Sequence, residues 1–105
     1  MLRILDDIID IIATLQPTVD AIRRRDPALA DQLSRALDSV ANNVSEGAGS
    51  QGRNRRARYH VALGSQYESR TCLRLAAAKR IVAPVPAPLA MRIDHVCAVL
   101  WKLTH

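Results

Sequence analysis

Apolar residues recur at three- and four-residue steps in four segments of the chain, and this spacing predicts four amphipathic α-helices. The first segment runs to about Arg25 and contains Pro17, which we expect to kink the helix or to restart it. Val19 and Ile22 continue the apolar stripe beyond the proline. The expected buried positions before the proline are Leu2, Leu5, Ile8, Ile9, Ile12 and Leu15.

The second segment opens with Asp26-Pro27, an N-cap followed by a proline that suits the first helical turn, and it ends at Gly47. A third helix is predicted from Gly52 to about Val82, a length of about 45 Å at 1.5 Å per residue. Alternating prolines then give an extended connector, and a fourth helix is expected from Pro88.

Four helices with no plausible strand, in a chain of 105 residues, predict one all-α domain over residues 1–105, an antiparallel up-down four-helix bundle. Aromatic residues are only 3% of the chain, so the core must consist of Leu, Ile, Val and Ala. No apolar run is long enough to cross a membrane, and the acidic start does not resemble a signal peptide, so we expect a cytoplasmic protein. Cys72 and Cys97 are expected to be free, buried thiols.

The third helix is apolar on two sides, which favours a homo-oligomer in which this helix packs against a neighbouring copy. One side carries Ala62, Leu73, Ala76 and Ala77. The other side carries Val61, Cys72 and Leu75.

Charge is distributed unevenly along the chain, whose net charge is +5. Residues 1–49 carry five basic and eight acidic side chains, whereas residues 50–82 carry eight basic side chains and one acidic side chain, Glu68. The third helix also begins with several arginines, although the positive end of the helix dipole disfavours cations. This arrangement points to an anionic partner.

Several of the basic residues share a face of the third helix with two rings, a combination suited to phosphate contact and base stacking. At about 100° per residue, Arg56, His60, Leu63, Tyr67, Arg70 and Arg74 fall within about 60°, with Arg53 at the edge. The candidate nucleic-acid-binding residues are Arg53, Arg55, Arg56, Arg58, His60, Tyr67, Arg70 and Arg74. Two alternatives remain open: a merely solvated face, or arginines that contact neighbouring subunits or a protein partner.

No catalytic or metal-binding arrangement is evident, so we expect neither an enzyme nor a cofactor. Glu46 and Glu68 could be read as a catalytic pair, but no nucleophile or metal ligand accompanies them. A Glu–Arg or Glu–backbone network that fixes the joint between the second and third helices is the favoured interpretation. Gly64 and Ser65 are small, and we expect them to let the second helix approach closely.

Two motifs resemble those of the four-helix bundle proteins encoded in intervening sequences of bacterial 23S ribosomal RNA genes. That family shows the patterns R-A-x-x-S-x-x-x-N-I-x-E-G and, after a basic stretch, A-x-G-S-x-x-E. The matching positions of the first motif are Arg35, Ala36, Ser39, Asn43, Val44, Glu46 and Gly47. Those of the second are Ala62, Gly64, Ser65 and Glu68. The motifs cover about residues 31–75.

The family is similar to the accessory variability protein of diversity-generating retroelements, a basic pentameric barrel. The resemblance therefore implies a homopentamer that binds nucleic acid and a partner protein such as a reverse transcriptase, without catalysis. The sequence departs from the family pattern at Val44 and Ser45, where Ile-Ala is usual, and at His60, where an apolar residue is usual. Arginine also stands in place of most of the family's lysines, so an inherited RNA preference does not follow.

Overall fold

A computed structural model describes residues 3–105 and contains four α-helices. They are α1 (Arg3–Arg25), α2 (Pro27–Ala48), α3 (Gly52–Ala78) and α4 (Ala87–Thr104). Each helix packs against the next along the chain, and α1 also contacts α4, which closes the bundle. The predicted all-α, antiparallel four-helix bundle is confirmed. No helix within residues 3–105 combines the length and apolar character that spanning a membrane requires.

The buried stripe of α1 differs from the predicted one. Ile9, expected to be buried, is 54% exposed, while Leu5 and Ile12 are only partly buried. Leu2 lies outside the described residues. The side chains that fill the core are Ile4, Ile8, Ile11, Leu15, Val19 and Ile22. The helix also continues through Pro17, which is exposed, so the expected restart does not occur.

The start of α2 follows the prediction. Asp26 is the N-cap, and its side chain accepts a hydrogen bond of 3.1 Å from the Leu29 backbone N–H. Near the other end, Gly47 lies directly against the ring of Tyr59 on α3. A Cβ atom at Gly47 would come within 2.5 Å of the Tyr59 Cε1 atom, so only glycine fits this helix crossing.

The third helix ends four residues before the predicted Val82, at Ala78. The chain reverses at Arg80, whose φ angle is 60°. The backbone N–H groups of Arg80 and Ile81 then bond back to the carbonyls of Ala77 and Ala76, both at 2.9 Å. This pairing is the Schellman arrangement, which satisfies carbonyls at the end of a helix.

The packing of α3 corrects three expectations about this helix. Cys72 was expected on a second apolar side but is 1% exposed and belongs to the monomer core, whereas Val61 and Leu75 are 51% and 42% exposed. Leu63, expected on the basic face, is also buried. A Cβ atom at Gly64 would meet nothing within 4 Å, so Gly64 does not serve a close approach of α2.

Candidate functional site

Two of the candidate arginines hold the joint between α2 and α3. Arg55 donates through Nε to the backbone carbonyls of Gly47 at 3.2 Å and Ser50 at 2.8 Å, and so caps the end of α2. Arg58 pairs with Glu46 at 3.1 Å and lies 3.5 Å from the Asn43 side-chain oxygen. Positive charge at the start of α3 is thereby partly matched by the carbonyls and the carboxylate at the end of α2.

Further along the bundle, the motif residues converge on a polar contact between α2 and α3. The hydroxyl oxygens of Ser39 and Ser65 are 2.7 Å apart, and the Asn43 amide donates to the Ser39 carbonyl at 2.8 Å. Arg35 and Glu68 lie along the same open groove. Among residues 3–105 no cluster of His, Cys, Asp and Glu could hold a metal ion. We interpret these residues as structural, because they join α2 to α3.

A third candidate, Arg70, links α3 to α4. It pairs with Asp94 at 3.0 Å, and this contact raises the pKa of the guanidinium above its ordinary value. Its guanidinium carbon also lies 5.2 Å from the centroid of the Tyr67 ring, within the range of a cation–π contact. Arg70 therefore orients the tyrosine as well as joining two helices.

The remaining five candidates form what we call the outer face of α3: Arg53, Arg56, His60, Tyr67 and Arg74. All five are exposed to solvent. None of the three arginines forms an ion pair with any residue from 3 to 105. These three arginines are therefore available for an external anion.

The structure adds two rings at the end of α4 that the sequence did not assign to this face, Trp101 within the helix and His105 at its C-cap. The Trp101 and His105 rings are stacked, with centroids 4.4 Å apart and planes inclined by 5°. The His60 ring lies 6.2 Å from the His105 ring, so the pair borders the outer face of α3. The four-residue spacing of Trp101 and His105, which places side chains together on a helix, was the available signal.

Between α3 and α4, next to this face, lies a groove of about 390 Å³. Its walls are mainly apolar, formed in part by Leu73, Ile93 and Val85. Arg70, Arg74 and Asp94 supply the charged groups at its surface. The groove therefore brings an apolar surface close to an exposed arginine.

The sequence model of the 23S rRNA-intervening sequence protein family matches residues 8–100. A similar solved structure is that of a protein of unknown function from the S23 ribosomal protein family of Bacteroides thetaiotaomicron. The two align with a TM-score of 0.79 and 13% identity over 96% of this chain and 97% of the other. At that identity, the likeness concerns the fold alone. A comparison with curated proteins finds no match.

Proposed function

Since the chain belongs to the 23S rRNA-intervening sequence protein family, we propose that it is a non-enzymatic, homo-oligomeric adaptor that binds nucleic acid. The binding surface is the outer face of α3, and RNA and DNA are both candidate ligands. The proposal reduces the eight candidate residues to the five of the outer face, because Arg55, Arg58 and Arg70 already have partners within the bundle.

The observation that carries this proposal is the combination of unpaired arginines and exposed rings on one helix face. Arginine binds phosphate through a planar pair of donors, and contacts of this kind provide most of the affinity in nonspecific nucleic-acid binding. Aromatic rings between the arginines supply surfaces on which bases stack. A face that is merely solvated requires no such rings.

Salt dependence tests the proposal directly. We expect fluorescence anisotropy of a labelled RNA and a labelled DNA to show binding that weakens steeply as salt rises. The double variant Arg53→Ala/Arg56→Ala should bind more weakly and lower the salt slope by about one unit per arginine. Arg3→Ala/Arg24→Ala is the matched control, because it removes two exposed arginines from α1, which does not carry the outer face. No binding at low salt, or equal loss in both variants, would contradict the proposal.

The proposed oligomer is a ring, with five subunits as the resemblance to the accessory variability protein implies. The outward side of α1 carries the exposed Ile9, and α3 carries the exposed Val61 and Leu75 to one side of the outer face, so a contact through them leaves the arginines open. Both helices contact α2 and α4, which places them at diagonal corners of the bundle. Two different apolar surfaces on opposite sides of a subunit favour head-to-tail contacts that close into a ring.

Light scattering after gel filtration tests this arrangement. We expect a mass near that of five 11.6 kDa chains. Val61→Glu/Leu75→Glu should dissociate the ring, whereas Met91→Glu, at an α4 residue that is 70% exposed, should leave it intact. A monomeric wild-type protein would refute the ring. Dissociation by Arg53→Ala/Arg56→Ala would instead favour the alternative function, a protein-interaction scaffold whose arginines make subunit contacts.

We also propose a cytoplasmic location and a protein partner such as a reverse transcriptase. The location is supported by Cys72 and Cys97, two buried free thiols of the kind that reducing compartments preserve. The partner follows from the family resemblance, and co-purification with the reverse transcriptase from the source cell would test it.

A further inference from the structure

Four residues of the outer face of α3 are spaced by seven: Arg53, His60, Tyr67 and Arg74. Seven residues are close to two helical turns, so successive members lie about 10 Å apart and drift by only about 20° around the helix. The series has a cation at each end and two rings between them. It offers a binding track about 30 Å long on which charge and aromatic surface alternate.

The rings of this track have faces available for stacking. Tyr67 is 39% exposed, and Trp101, whose stacked partner His105 lies 6.2 Å from the His60 ring, is 50% exposed. Each is held in place from within the molecule, Tyr67 by the Arg70 guanidinium and Trp101 by the stacked His105 ring. Rings held in this way lose little side-chain entropy when a base stacks on them.

The groove between α3 and α4 lies beside the same track. Its volume of about 390 Å³ falls within the range of small-ligand pockets, about 300–1,000 Å³. The walls are mainly apolar, and Arg74 belongs both to the groove and to the track. An unstacked base can enter such a groove while its phosphate contacts Arg74.

We propose that the ligand is single-stranded nucleic acid, with unpaired bases stacked on Tyr67 and Trp101 and phosphates bound by Arg53, Arg56 and Arg74. This inference rests on the proposed function and specifies the form of nucleic acid. The bases of a duplex are stacked on each other and cannot lie on exposed rings, so a duplex gains only the phosphate contacts. A single strand gains the phosphate contacts and the stacking of its bases on the rings.

Three probes of equal length separate the possibilities: a pyrimidine-rich single strand, its duplex, and an abasic strand that carries phosphates without bases. At matched salt we expect the single strand to bind at least about ten-fold more tightly than either of the others. Trp101 is the only tryptophan of the chain, so its fluorescence should be quenched by the single strand alone. Equal affinity for all three probes would overturn the inference while leaving the proposed function standing. Binding to none of them would overturn both.

Ring variants provide the second measurement. Tyr67→Ala/Trp101→Ala should lower single-strand affinity at least about 30-fold and leave duplex affinity unchanged. Tyr67→Phe/Trp101→Phe keeps both stacking surfaces and should restore single-strand binding. Both positions are exposed, so a native circular dichroism spectrum is expected for each variant. Equal loss for single strand and duplex in the alanine variant would contradict base stacking.

Discussion

At the scale of single residues, the two glycines of the family motifs have different reasons to be present. Gly47 lies where the Tyr59 ring leaves no room for a side chain, because Tyr59 is itself 4% exposed and confined by the core. Gly64 is exposed in the middle of α3 with open space around it. A motif position in the sequence therefore does not reveal which glycine serves packing.

Replacing Gly47 and Gly64 by alanine, one at a time, should change the stability of the protein in opposite directions. Gly47→Ala forces Tyr59 to shift and should lower the free energy of unfolding by about 1–3 kcal/mol, as overpacking does. In the Val61→Glu/Leu75→Glu background, in which the ring is expected to dissociate, Gly64→Ala should raise it by about 0.5–1 kcal/mol, because alanine is the better helix former. Urea unfolding followed by circular dichroism measures both. A stabilised Gly47→Ala would contradict the close contact with Tyr59.

The candidate site could be predicted in part at this scale. The outer face of α3 follows from helical spacing, which the sequence contains. The involvement of Arg55 and Arg58 in the joint does not, because it depends on how the turn at residues 49–51 brings the end of α2 against them. The pairing of Arg70 with Asp94 likewise required the alignment of α3 with α4.

At the scale of elements, most of the fold follows from the hydrophobic pattern, and the exceptions have physical causes. In α1 the isoleucines occur in adjacent pairs, Ile8-Ile9 and Ile11-Ile12, so two overlapping stripes have the helical period. Only packing against α2 and α4 decides which member of each pair is buried. The end of α3 was predicted too late because residues 79–82 contain no glycine or proline to mark a stop.

The end of α3 gives a prediction at this scale. Arg80 adopts a left-handed backbone conformation that costs a residue with a side chain about 1–2 kcal/mol. Arg80→Gly removes that cost, and after the entropy of the more flexible unfolded chain a gain of about 0.5–1 kcal/mol in the free energy of unfolding is expected. Thermal unfolding measures the gain. Arg80→Ala is the control, since it retains a Cβ atom and should show no such increase.

At the scale of the whole molecule, the two cysteines report on the opening of the bundle. Cys72 on α3 and Cys97 on α4 are 1% and 6% exposed, and burial raises the pKa of both thiols above the ordinary value of 9.0. The folded state thus holds these protons more tightly than the unfolded state does. Stability is unaffected by this difference below pH 9 and should fall as the pH rises further.

Thiol labelling measures how often the bundle opens and exposes the two cysteines. In native buffer near pH 7.5 we expect Ellman's reagent to react slowly with both cysteines, because they are buried and protonated. Urea should accelerate labelling in step with the loss of helical signal. Cys72→Ala and Cys97→Ala, each alone, identify the signal of the remaining thiol. Rapid labelling of either cysteine in the native protein would contradict the closed core.

The up-down order of the helices also has a consequence for the synthesis of the chain. Each helix from α2 onward contacts the helix made immediately before it, and within residues 3–105 the main contact between non-consecutive helices is that of α1 with α4. As the chain leaves the ribosome, every new helix finds a partner that is already complete. Contacts of this local kind allow rapid folding. The most extensive one, between α2 and α3, can form while α4 is still being translated.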